Sequence, residues 1–135
     1  MRILKPVGVE IELDDKPRKL LFTVDIIDEV QNHYDMYVVD VLNSIFSSES
    51  KENMRDAYNK VSFIFTLLLN GDVKRHNKDN PGDIWNEITE EWIRSEWLTN
   101  SNVAIFGGLI LKAFNESLPK SDDEDPNQKS GQVKK

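Results

Sequence analysis

Chemistry in this chain would have to come from two histidines, scattered acids and three tryptophans, because cysteine is absent. His33 stands two residues before Asp35, and His76 lies between Asp72 and Asp79. A zinc site needs a third and a fourth ligand at defined spacing, and neither HxxxH nor HxH occurs. Both histidines therefore read as surface residues, and no metal is expected. Asp25, Asp28 and Glu29 resemble paired carboxylates for acid–base work. Acids in a first helical turn serve the helix dipole far more often. No serine stands in a GxSxG elbow. Gly107-Gly108 precedes Leu-Ile-Leu, not the Lys and Ser/Thr of a phosphate loop. The residues predict no enzyme and no cofactor.

What remains is apolar surface at helical spacing. Trp85, Trp92 and Trp97 fall within thirteen residues. They are either core or interface anchors, since Trp and Tyr dominate binding hot spots. Gly107-Gly108 either lets a neighbouring helix approach closely or leaves a groove floor for a foreign one. The large apolar residues least committed to a single stripe are Phe63, Leu67, Trp92, Trp97, Phe106 and Ile110. These six are the predicted partner-binding residues; the alternative is that all six are core.

The frame that positions them is small. At 135 residues, 39% of them hydrophobic, the chain suits one domain with one modest core. A net charge of −7 argues against nucleic acid and anionic membranes as partners. The most apolar runs, 61–69 and 103–111, are nine residues each, against the ~20 a membrane helix needs. Pro6, Gly8, Glu10 and Glu12 interrupt any signal-peptide pattern, so a cytoplasmic protein is expected.

Val7, Val9, Ile11 and Leu13 alternate with Gly8, Glu10 and Glu12, the period of a half-buried strand. Asp14-Asp15-Lys16-Pro17 carries turn chemistry, and a second strand follows over 18–23. A lone hairpin is marginal in water, so it must lie on helices or pair with another chain. Its free edges predict self-association.

Thr23 can cap a first helix, with Val24, Ile27, Val30 and Tyr34 as its apolar stripe. Asp35 can cap a second, with Val38, Val41, Leu42 and Ile45 inward. After a loop at 47–50, Ser50 opens the clearest helix, which Asn70-Gly71 is expected to stop. Asn80-Pro81-Gly82 is a strong turn. Asp83 can cap a fourth helix carrying Trp85, Ile88, Trp92 and Trp97. A last helix covers 103–118. Residues 119–135 hold four acids, four lysines and no aromatic. They predict a disordered charged tail. The fold expected is mostly α (α+β): about five helices with an N-terminal β-hairpin over 1–118.

The order of segments resembles the tail assembly chaperones of long-tailed bacteriophages and Gram-positive prophages. The resemblance rests on the run from Leu20 through Phe22, Val24 and Ile27 to Gln31 and the Phe63-Ile-Phe-Thr-Leu-Leu-Leu-Asn helix. A polar Lys74-Arg-His-Asn segment, the Gly107-Gly-Leu-Ile-Leu-Lys-Ala-Phe helix and a charged tail complete it. It implies a helical protein present in the host cytoplasm during virion assembly and absent from the mature virion. Such a chaperone binds the tape measure protein, keeps it soluble and helps recruit tail tube subunits. Many members are made in two forms through a programmed frameshift. The family supplies no motif residues for the binding site. The alternative is a structural head–tail connector or tail completion protein.

Overall fold

The computed structural model describes residues 1–47, 50–118 and 120–121. It is mostly α, with five helices and a short N-terminal antiparallel hairpin. In chain order the elements are β1 Ile3–Leu4, β2 Val9–Leu13, β3 Lys16–Leu20, α1 Val24–Tyr34 and α2 Val38–Ser44. There follow α3 Lys51–Asp79, α4 Glu90–Trp92 running into a π-helical turn Ile93–Trp97, α5 Val103–Glu116 and β4 Lys120–Ser121.

The hairpin turns tighter than its sequence suggests. Asp14 and Asp15 both have positive φ, 56° and 62°. Two consecutive left-handed residues make the primed turn whose twist suits a two-residue hairpin. Asp tolerates this conformation better than most residues. Lys16 and Pro17 thus belong to β3 rather than to the turn, and Pro17 faces Glu12. Val9, Leu13 and Leu20 go into the core. Gly8, just before β2, sits at φ +74°, and a Cβ there would lie 2.4 Å from the Leu20 carbonyl oxygen. Only glycine fits that approach.

Thr23 caps α1 as expected, its Oγ1 accepting from the Ile26 N–H at 3.3 Å. The buried residues of α1 are Ile26 and Val30, whereas Val24 is 73% exposed. The expected stripe is therefore rotated, with Val24 outside it. Asp35 closes α1 as a left-handed C-cap at φ 53° instead of opening α2. The α2 N-terminus is satisfied by Gln31, whose Oε1 accepts from the Val38 N–H at 3.0 Å. The inner face of α2 is as read, Val38, Val41 and Leu42 with Ile45 just beyond.

Ser50 caps α3, while residues 48–49 of the preceding loop lie outside those described. The helix does not stop at Asn70-Gly71; it runs 29 residues, roughly 43 Å at 1.5 Å per residue. Its second half is held by tertiary contacts that local propensity does not register. Asp72 is buried beside Arg18 and Arg75. Gly71 faces Ile26, whose Cδ1 would stand 3.3 Å from an added Cβ. The glycine thus serves helix packing, not helix termination.

The helix expected from Asp83 does not form. Asp83 closes the preceding turn, residues 84–89 form a strap without helix or strand, and α4 begins at Glu90 under a Thr89 cap that accepts from the Trp92 N–H at 3.1 Å. At Gly107 an added Cβ would lie 3.0 Å from Ile45 Cγ2, so this glycine lets α2 and α5 approach; Gly108 opens to space. Lys120 and Ser121 pair with Leu4 and Ile3. Those two residues of the stretch read as a disordered tail therefore hold a strand. Residues 119 and 122–135 lie outside the described residues.

Candidate partner-binding surface

An apolar concavity opens where α1 begins and α5 ends. Leu21 and Phe22 leave β3 and turn inward. The turn is pinned by Ser117, whose Oγ accepts from the Phe22 N–H at 2.9 Å and donates to the Ala113 carbonyl at 2.6 Å. Phe22 packs edge-on against Phe114, ring centres 5.4 Å apart. The resulting cleft has a volume of about 390 Å³ and is lined by Leu21, Phe22, Val24, Ile27, Phe114 and Leu118, with Lys5, Pro6, Thr23 and Ser117. Val24 at 73% and Leu118 at 46% stand exposed on it. A cleft with so many apolar side chains along it suits apolar groups of a partner.

The six residues singled out from sequence lie elsewhere. Ile110 is fully buried and Phe106 is 9% exposed, its ring 4.9 Å from that of Phe65. Both are core, so neither reaches a partner unless the fold opens. Phe63 is half-buried, stacked on His33 at 4.0 Å and edge-on to Tyr34 at 5.7 Å. Leu67, Trp92 and Trp97 are also half-buried against the core. Trp92 and Trp97 meet edge-on at 5.6 Å, and Trp97 Nε1 is buried with no hydrogen-bond partner among the described residues. None of the six lines the cleft.

The third tryptophan is bound up in a polar clamp. Asn77 takes the Trp85 N–H on Oδ1 at 2.8 Å and donates Nδ2 to its carbonyl at 3.1 Å. One heptad earlier, Asn70 holds Ile88 in the same way at 2.7 and 2.8 Å. Seven helical residues rise ~10.5 Å, and three extended residues span ~10 Å. The two spacings match, so the strap runs antiparallel to α3 with its backbone satisfied by asparagines. Trp85 stacks on His76 at 3.6 Å and lies under the Arg18 guanidinium, 4.6 Å from its ring centre. His76 Nε2 also meets the Asp83 carboxylate at 3.2 Å. Arg18 and Asp72 face each other at 3.8 Å. That is an ion pair too long for a hydrogen bond. Burial lowers the Arg75 pKa, and Asp72 opposes that shift.

His33 is exposed, as read; His76 is the strap's anchor rather than a free surface residue. Among the described residues no cluster of three or more His, Asp or Glu has the geometry to hold a metal. No helix of the described residues is long and apolar enough to cross a membrane.

Comparison with family models, curated protein sequences and solved structures finds no match. The cleft itself carries no local sequence signal, because its two halves are some 90 residues apart. The one hint is Val24, an apolar residue in a capped first turn that its own helix does not bury.

Proposed function

We propose that this chain is a tail assembly chaperone of a long-tailed phage or prophage, a binding protein without turnover. Its partner is an amphipathic helical segment of the tape measure protein, which it keeps soluble while tail tube subunits are recruited. The observation that supports this reading is the apolar cleft between α1 and α5, with Val24 and Leu118 exposed on it. A helix laid into such a groove anchors through apolar residues at i, i+3/i+4 and i+7. A tape measure protein offers such stripes, which would aggregate if left uncovered. The −7 net charge keeps a chaperone–client complex soluble.

The test is co-expression of the tape measure gene from the same gene cluster with wild-type chain or with Val24→Glu, followed by co-purification. Wild type should hold the tape measure in the soluble fraction, and Val24→Glu should release it while melting normally. A tape measure equally insoluble with and without wild-type chain overturns the reading. Mass spectrometry of purified virions separates the alternative, because a connector or completion protein stays in the particle.

A further inference from the structure

The hairpin has two edges, and the described residues close only one. Leu13 and Lys16 flank the two-residue turn, so the pairs Leu13–Lys16, Ile11–Arg18 and Val9–Leu20 exchange the ladder bonds. The backbone groups of residues 10, 12, 17 and 19 therefore point away from the ladder. On the β3 edge Pro17 has no N–H to offer. The Lys19 N–H donates to Asp72 Oδ1 at 3.1 Å, and its carbonyl accepts from Arg75 Nη2 at 2.9 Å. On the β2 edge the Gly8 N–H donates to the Glu116 carbonyl at 3.3 Å. Beyond that point the outward groups of Glu10 and Glu12 meet no hydrogen-bond partner among the described residues, and both side chains are exposed.

We propose that the open β2 edge takes an extended segment of a partner protein as an added strand, one that alternates apolar residues with lysine or arginine. An exposed edge gives main-chain affinity, and flanking side chains give the choice of partner. On the outer face the new strand's side chains stand beside Glu10 and Glu12, close enough for opposite charges to stabilise the pairing. On the inner face they stand beside Ile11, which is only half-covered. The same two acids exclude a second copy. Antiparallel pairing of β2 with itself about Ile11 sets Glu10 opposite Glu12 of the other copy, twice over, and like charges directly opposite destabilise. Edge acids thus reject self-pairing, as edge charges do in many sheets, while selecting a basic strand. This inference is independent of the cleft and of the tape measure reading.

The test uses the full chain, isotope-labelled for NMR, with end-blocked hexapeptides Val-Lys-Val-Lys-Val-Lys and Val-Glu-Val-Glu-Val-Glu. The lysine peptide should bind at least about tenfold more tightly than the glutamate peptide, and it should slow amide exchange at Glu10 and Glu12. Glu12→Pro removes one outward N–H, as Pro17 does on the other edge, without touching a ladder bond. It should abolish peptide binding while the Ile11 and Leu13 amides stay protected. The double variant Glu10→Lys, Glu12→Lys should prefer the glutamate peptide. Equal binding of both peptides, or protection confined to another surface, overturns the proposal. So does a Glu10 and Glu12 pair already protected in the free chain, whether protection grows with concentration or vanishes on removal of residues 122–135. The first would make a second copy the occupant, and the second the chain's own terminus.

Discussion

The face where β3 meets the second half of α3 and the cleft where α1 meets the end of α5 are built from opposite materials. On the first, directional polar contacts join β3, α3 and the strap, although Arg18 Nε and Nη1 and Asp72 Oδ2 are buried with no hydrogen-bond partner among the described residues. Asp72 and Arg75 cap Lys19, Asn70 and Asn77 hold the strap, and His76 and Arg18 enclose Trp85. On the second, apolar side chains line a concavity that nothing in the described chain fills, and Val24 and Leu118 face outward. A surface closed by directional bonds specifies its own geometry and leaves little for a partner. A surface left apolar and open is costly to a free protein and is the part that association can cover. Substitutions should therefore separate the two faces: stability lives on the first and binding on the second.

The largest effect is expected at Asp72. Asp72→Ala leaves the Arg18 guanidinium, 3% exposed, without its counter-charge. Breaking a buried pair from one side typically costs ~3–5 kcal/mol, which thermal unfolding will read as a large fall in Tm. The double variant Arg18→Met, Asp72→Leu removes both charges and should recover the part of that loss due to the unpaired guanidinium, while the Lys19 N–H stays uncapped. A double variant no better than the single one would mean that the pair matters for something other than charge compensation.

Next in size is the clamp. Asn77→Ala deprives Trp85 of two backbone bonds, and Asn70→Ala does the same to Ile88. Each should cost ~1–3 kcal/mol and should speed proteolytic cleavage within residues 80–89. Unchanged cleavage would show that the Trp85 stack alone fixes the strap.

On the open face the expectation reverses. Val24→Glu changes an exposed position and should shift stability by ~0.5 kcal/mol or less, while removing an apolar anchor from the cleft. If it destabilises the fold as Asp72→Ala does, the contrast between the two faces fails.

A further effect, absent at neutral pH, is a pH dependence outside both faces. Burial first, then Glu90 and Asp56, pushes the Tyr34 pKa up from 10.0 to about 12. The fold favours the neutral phenol, so this contribution is whole below pH 10 and is lost as pH rises from 10 towards 12. Unfolding measured across that window should show a decline that Tyr34→Phe flattens.

Much of the fold was legible where the signal was local. The alternation in β2, the caps Thr23 and Ser50, and the inner face of α2 all depend on neighbouring residues, and they formed as read. The α3 stop and the Trp85 helix misled for a common reason. Asn70-Gly71 resembles a C-cap, and Trp85, Ile88 and Trp92 fall at i, i+3 and i+7 like a helical stripe. In both places partners far along the chain decide the backbone. Arg18 anchors α3 beyond Gly71, and two α3 asparagines take the strap's N–H and C=O groups before a helix can use them. Of the six predicted binding residues, Phe106 and Ile110 were core because α5 is covered on that side by α2 and α3. The cleft was invisible because it joins residues 21–27 to 114–118 through tertiary packing.

Hydrogen–deuterium exchange of the chain alone and in complex with its co-expressed tape measure protein tests the central claim most directly. The account predicts that binding slows exchange in residues 21–27 and 112–118 and leaves the strap at 84–89 unchanged. Protection on the strap and α4 with none around the cleft would contradict it.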